Sequence, residues 1–340
     1  MTHYKIFSDT GCGLFHERLN DIYDKVKRYL AAEQCEQRTL CYAKVFLSDV
    51  SNQEEALHHS RLMTELISHA AYTIIQQSPV NGAKIGLLLK TSDETDGFTL
   101  SSLRLTDSEV NGANSYDQTE MLFSKYLALL KTEGLNLKDH CVRTWIYVRD
   151  IDANYDGVVK ARNDIFRQHG LTADTHFIAS TGIGGRAMGK HVCVAIDFLT
   201  ARDIRQEDKL YLKALDYLNP THEYGVAFER GVRVTLPHKY QYFISGTASI
   251  NHRGEVVHVG DVTKQTARLL ENISALLADG GATMADVKYF IIYLRDLADA
   301  DTVERYMSEA YPSVPRIITH AEVCRPAWLV EMECIAECAR

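Results

Sequence analysis

The chain has 340 residues, of which 46% are apolar and 9% aromatic, enough to bury a substantial core and to exclude a disordered polypeptide. Its 37 Lys and Arg stand against 45 Asp and Glu, and the formal charge of −8 excludes a broad cationic face for nucleic acid or anionic lipid. No uncharged apolar run approaches the ~20 residues of a membrane helix. The first nine residues lack a basic region followed by an apolar stretch, so no secretory signal is expected. None of the 8 cysteines forms a CxxC pair, which points to reduced thiols in the cytoplasm rather than to a zinc or redox site. Only 6 prolines occur and no Pro-rich or Ser-rich linker is present, so the structural units must abut closely.

Taken in chain order, one pattern recurs three times: an apolar strand, an aspartate at its end, then an amphipathic helix. Lys44-Val45-Phe46-Leu47-Ser48-Asp49 precedes a helix expected from about Asn52 to Ile67. Trp145-Ile146-Tyr147-Val148-Arg149-Asp150 precedes one from about Tyr155 to His169. Ile291-Ile292-Tyr293-Leu294-Arg295-Asp296 precedes one from about Ala300 to Ala310. Each copy closes in a strand-like run, at residues 83–89, 191–198 and 328–335. The second and third copies also align upstream, where Ala128-Leu129-Leu130 matches Ala275-Leu276-Leu277. A helix ahead of the third strand carries Leu269, Leu270, Ile273, Leu276 and Leu277 at helical spacing, and Gly280-Gly281 stops it. The fold class is α+β, built from three units at roughly 1–100, 101–220 and 221–340.

The third unit resembles the RidA/YjgF-type domain over nearly its whole length. The resemblance is carried by Tyr242-Phe243-Ile244-Ser245-Gly246-Thr247-Ala248-Ser249-Ile250, Gly260-Asp261-Val262, Gln265, Tyr293-Leu294-Arg295-Asp296, Pro315-Arg316 and Val330-Glu331-Met332-Glu333. Single-domain members of that family form trimers with sites between subunits. Three tandem RidA/YjgF-like (chorismate mutase-like) units therefore imply an intramolecular pseudo-trimer, with helices outside and the opposite sheet faces forming a shared barrel. The whole chain resembles the chorismatases, larger RidA-like enzymes that split chorismate. That likeness lies in Arg143-Thr144-Trp145, Ser180-Thr181-Gly182-Ile183-Gly184-Gly185, Tyr224-Gly225 with Phe228-Glu229-Arg230, and Val323-Cys324-Arg325-Pro326 with Trp328-Leu329-Val330-Glu331. The Tyr224 segment is shorter here than in the family and lacks its proline.

Glu331 is the candidate proton donor. On a strand it faces the same way as Leu329, Glu333 and Ile335. Among apolar neighbours its carboxyl is either paired with an arginine or the backbone, or protonated, because a lone buried charge is costly. Desolvation raises a carboxyl pKa toward neutrality, as general acid catalysis requires. Ala195 stands at its position in the second copy, while Asp197 stands at that of Glu333, so one specialised site is expected. Arg316 lies fifteen residues before Glu331, the RidA spacing, and guanidinium suits a carboxylate ligand. Arg143 and Arg230 match the chorismatase pattern and are, with Arg316, either substrate contacts or salt-bridge residues. Tyr224, Thr181 and Gly182 complete the expected substrate-binding set. The segment 181–186 either brings backbone N–H groups to a ligand or forms a tight loop; it lacks the spacing of a phosphate loop. Cys324, seven residues before Glu331, resembles the cysteine of the 3-hydroxybenzoate-forming chorismatases; otherwise it is a small packing residue.

The resemblance implies cleavage of the chorismate enol ether to pyruvate and a hydroxybenzoate, with 3-hydroxybenzoate favoured, or a dihydrodiol. It implies a dianionic small-molecule substrate, no cofactor and no metal. The chain is expected to be a monomeric pseudo-trimer or a weak homo-oligomer, with no nucleic-acid or membrane partner. The alternatives are a RidA-like enamine or imine deaminase using Arg316 and Glu331, or a non-catalytic ligand-binding relative.

Overall fold

The structure, a computed structural model, describes residues 1–9, 11–80, 82–94 and 97–340, except for the side chain of Tyr224. The first stretch comprises β1 (Thr2–Ser8), α1 (Phe15–Cys35), β2 (Thr39–Leu47), α2 (Val50–His58), β3 (Ala71–Gln76), β4 (Ser78–Pro79) and β5 (Ile85–Ser92). Next come β6 (Phe98–Leu103), α3 (Asp107–Val110), α4 (Ser115–Thr132), α5 (Leu137–His140), β7 (Cys141–Val148), α6 (Ile151–Gln168), β8 (Ala179–Gly184) and β9 (Val194–Ala201). The remainder comprises β10 (Lys209–Leu212), β11 (Gly231–Thr235), β12 (Lys239–Thr247), α7 (Val262–Asp279), β13 (Val287–Leu294), α8 (Ala300–Ala310), β14 (Arg316–His320) and β15 (Val330–Ala339).

These strands form three sheets with one strand order. The first runs β1-β5-β2-β3, the second β6-β9-β7-β8, and the third contains β12-β15-β13-β14. In each, the last strand in the chain inserts antiparallel between the first and second, while the second and third run parallel. The fold is α+β, assembled from tandem RidA-like units. The third sheet is extended by β10 and β11 at one edge and by β4 at the other. Apart from β4, its strands therefore begin at Lys209, ahead of residue 221.

The sequence explains the layering. β13 reads Val-Lys-Tyr-Phe-Ile-Ile-Tyr-Leu and is buried along almost its whole length, as a strand covered on both faces must be. α7 buries Leu269, Leu270, Ile273, Leu276 and Leu277, and the Asp261 side chain caps it by accepting from the Lys264 N–H at 2.9 Å. One apolar cluster lies under the helices of the first sheet and another under those of the second. The largest joins all three sheets and includes Tyr4, Phe46, Trp145, Tyr147 and Tyr293. Tyr4 and Tyr289, from the first and third sheets, meet with ring centroids 5.1 Å apart.

Two local expectations differ from what is observed. The helix expected over 52–67 breaks after His58, and a π-helical turn follows at Leu62–Ile67. Ser60 causes the break: its hydroxyl donates to the Leu57 carbonyl at 2.6 Å and accepts from the Met63 N–H at 3.3 Å, competing with the helix ladder. The glycine-bearing segment 181–184 is strand β8 rather than a loop, paired in parallel with β7.

The sheets meet at three seams. Between first and second sheets, the Thr73 hydroxyl donates to Asp197 Oδ1 at 3.1 Å, and Arg104 donates to Asp197 at 3.0 Å and to the Ile74 carbonyl at 3.3 Å. Between second and third, the Ser180 N–H donates to Ser245 Oγ and the Gly246 N–H to Thr181 Oγ1, both at 2.9 Å. Between third and first, β4 pairs antiparallel with β14. This last seam is tight: a Cβ on Gly86 would lie 2.6 Å from Ile317 Cδ1 and 3.2 Å from Pro79 Cγ. Gly86→Val is therefore expected to destabilise the protein by ~1–3 kcal/mol through overpacking, read as a lower urea midpoint.

Candidate active site

A cleft of about 310 Å³ opens at the seam between the second and third sheets. Its floor is Gly182 on β8, Gly246 on β12 and Glu331 on β15. α6 supplies one wall with Tyr155 and Arg162. Phe228 and Arg230, just before β11, form another, and Cys324, Arg325 and Trp328 come from the segment before β15. Arg162 reaches the cleft because Val158, Arg162 and Ile165 share the buried stripe of α6. Arg230 is fixed through Nη2, which donates to the Asn219 carbonyl at 3.0 Å and to Asn219 Oδ1 at 3.2 Å.

Glu331 is only 4% exposed. Its carboxyl lies against the bare Cα of Gly246, where any Cβ would overlap Oε1. Desolvation, and then the negative charge of Glu333, push the Glu331 pKa up to about 8, against the opposing pull of Arg143 and Arg230. The group is a carboxylic acid near neutral pH. Glu333, two residues on and facing the same way, is saturated with donors. It accepts from Arg143 Nη2 at 2.8 Å, from Trp145 Nε1 at 2.6 Å and from the Thr181 hydroxyl.

Beyond this cluster the barrel interior stays polar. Lys44 of β2 is buried, with Nζ 3.4 Å from the Tyr147 hydroxyl and 3.4 Å from the Trp145 ring centroid. Its burial lowers the Lys44 pKa to about 8. Tyr147 donates to Asp197 at 3.0 Å. Cys324 sits on the cleft wall with its pKa pushed up to about 12, by desolvation first and then by the charge of Glu331, so the sulfur is a thiol and not a thiolate.

The structure therefore brings Glu331, Cys324, Arg230 and Gly182 to one cleft. It does not bring Arg316 there. Arg316 begins β14, two strands from Glu331 across β13, and donates to Glu304 Oε1 at 2.5 Å and to the Tyr311 carbonyl at 3.3 Å. A spacing of fifteen residues placed both in one sheet, but Arg316 turns toward α8. Arg143 and Thr181 also differ from the expected role. Both are almost wholly buried behind the floor, tied to Glu333 and to each other, and neither lines the cleft. The Tyr224 side chain lies outside the described residues. Arg162, Tyr155, Arg325 and Trp328 were missed as site residues. The one legible sign was an arginine set into the apolar stripe of α6.

A family model described as Endoribonuclease L-PSP matches residues 227–338. A RutC family protein of Pyrococcus abyssi is 37% identical over 97 residues, covering 28% of this chain and 76% of the relative. A chorismatase of Streptomyces hygroscopicus is 31% identical over 238 residues, covering 64% of this chain and 66% of the relative, just under two thirds of its length. A chorismatase crystal structure superposes over 99% of this chain and 98% of its own, with a TM-score of 0.69 at 20% identity, a likeness of fold. The chain belongs to the RutC, or RidA/YjgF-like, family, and over most of its length it is similar to the chorismatases.

The Arg143–Glu333 pair, buried on both sides, is this site's frame. Removing one partner of such a pair leaves an uncompensated charge, at a cost of ~3–5 kcal/mol. Arg143→Met is expected to lose about that much stability in urea unfolding. Adding Glu333→Leu is expected to recover most of it, so that the two changes are far from additive.

Proposed function

We propose that this protein cleaves the enol ether of chorismate, releasing pyruvate and, as the favoured ring product, 3-hydroxybenzoate. The observation that carries the reading is a carboxylic acid, Glu331, held protonated on the floor of a cleft whose walls carry Arg162, Arg230 and Arg325. Chorismate has two carboxylates, and the cleft arginines supply charge-assisted donors that orient such a dianion on an otherwise acidic protein. Glu331 gives its proton to the terminal methylene carbon of the enolpyruvyl group. The resulting oxocarbenium lets the ether bond break, and pyruvate leaves. Loss of a ring proton with rearrangement gives the hydroxybenzoate with no net uptake of water, whereas net addition of one water gives the dihydrodiol.

In this reading the chain is a pseudo-trimer of units 1–100, 101–220 and 221–340 with one active site, at work in the cytoplasm. The eight free thiols are consistent with that compartment. Among the described residues no helix is long and apolar enough to cross a membrane. The deaminase alternative needs Arg316 beside Glu331, and its place against α8 weighs against that reading.

Incubating the purified protein with chorismate and following pyruvate release tests the proposal directly. Glu331→Gln keeps the shape but carries no transferable proton, and turnover is expected to fall by at least ~10²–10⁴-fold with the fold intact. For the unmodified protein kcat/KM is expected to decline as pH rises through about 8, since ionised Glu331 cannot donate. Near-normal turnover in a folded Glu331→Gln protein removes Glu331 from the mechanism.

Cys324 is proposed to steer the ring product. As a thiol beside the ring it relays a proton in aromatisation in preference to water capture. Cys324→Ala is expected to shift the product, separated by chromatography, from 3-hydroxybenzoate toward the non-aromatic diol. An unchanged ratio at unchanged rate makes the thiol a packing residue.

A further inference from the structure

We infer that Glu333 is a positioning residue that keeps Glu331 in its proton-donating form, by engaging Arg143 and by standing as a fixed negative charge beside it. The inference rests on reading Glu331 as the proton donor. Glu331 and Glu333 alternate on β15 and so project to the same face. Both oxygens of Glu333 are engaged: Oε2 by Arg143 and Thr181, Oε1 by Trp145. A carboxyl group accepting from three donors, one of them a guanidinium, is fixed in place. Arg143 Nη2 is thereby engaged by Glu333.

The same frame fixes where Glu331 sits. Thr181 Oγ1 donates to Glu333 and accepts from the Gly246 N–H at 2.9 Å, and Gly246 is the residue against which the Glu331 carboxyl lies. A rigid chain therefore runs from Glu333 through Thr181 and Gly246 to the acid. The three donors that hold Glu333, namely Arg143, Trp145 and Thr181, come from β7 and β8 of the second sheet, so the acid of the third sheet is tuned by the second.

The groups facing Glu331 are Glu333 on its own strand, Arg143 from β7, Tyr293 from β13, Arg230 before β11 and Cys324 before β15. Arg162, Arg325 and Tyr155 line the same cleft. Glu333 is faced in addition by Lys44 of β2, Tyr147 of β7, and Tyr289 and Tyr293 of β13. Of these, Glu333 is the largest charge acting to raise Glu331.

The test is to titrate the ¹³C-labelled Glu331 carboxyl by NMR, assigned by its disappearance in Glu331→Gln, in the unmodified protein and in Glu333→Gln. Glu333→Gln is expected to lower the Glu331 titration by about one unit or more, a tenfold change in proton affinity. The high-pH limb of kcat/KM is expected to move with it. A charge-balanced Arg143→Met/Glu333→Gln protein is the second variant, with a smaller fall in the same direction, and it serves if Glu333→Gln alone does not fold. An unmoved Glu331 titration in folded Glu333→Gln, or in the folded double variant, overturns the inference, since a purely structural Glu333 changes stability but not that titration. If Glu331 titrates as expected and responds to Glu333→Gln, yet the unmodified protein leaves chorismate intact, the functional reading fails and the role of Glu333 stands. If chorismate is cleaved and Glu331→Gln is inactive while the titration does not move, the role of Glu333 alone fails.

Discussion

A buried charge must be paired, and the centre of this protein is organised by that rule. Arg143 from the second sheet and Glu333 from the third meet at 2.8 Å, both side chains almost wholly buried. Neither tolerates burial alone, so the pair locks the two sheets at one register. Everything at the adjoining cleft inherits that register: Thr181 bridges to the Gly246 backbone, Gly246 leaves room for one carboxyl, and Glu331 fills it. The contrast between the two glutamates follows. Glu333 is engaged by three donors; Glu331, two residues away, is desolvated, and its pKa is pushed up to about 8.

The same architecture occurs three times, yet one seam opens into this cleft. At the positions of Glu331 and Glu333 the second sheet has Ala195 and Asp197, and the first has Gly86 and Leu88, as the pairing with Tyr293, Tyr147 and Phe46 establishes. At the first–second seam Arg104 occupies the space with its guanidinium on Asp197 and Thr73. At the third–first seam β4 zips onto β14, and Pro79 and Ile317 pack against Gly86. One seam is filled by an ion pair and one by apolar packing. At the second–third seam, among the described residues, the space beside Glu331 and Gly246 stays open as the cleft.

The repeat was legible because strand–helix periodicity and the aspartate that closes each strand survive in all three copies, even where identity is low. Glu331 was legible because a carboxylate amid apolar residues has few explanations. The arginines were harder. Arg143, Arg230 and Arg316 are alike in sequence, each in or beside an apolar strand. Their separation depends on neighbours distant in the chain: Glu333 claims Arg143, Glu304 claims Arg316, and Asn219 holds Arg230 at the cleft. The helix break at Ser60 was hidden for a related reason, since a serine hydroxyl competes with the backbone only in particular rotamers.

By itself, then, the sequence determined the α+β repeat, the helices that cover each sheet and the strand that carries Glu331, because these follow from local periodicity and from the cost of burying polar groups along a single element. The tertiary structure decided which seam stays open, which arginine faces the cleft and which is spent on an internal carboxylate, and that Lys44 of the first sheet shares the barrel with Glu333 of the third. Those outcomes depend on which side chains meet across sheets up to some three hundred residues apart, as Tyr4 and Glu337 do with |i−j| of 333, and no spacing along one strand encodes such a meeting.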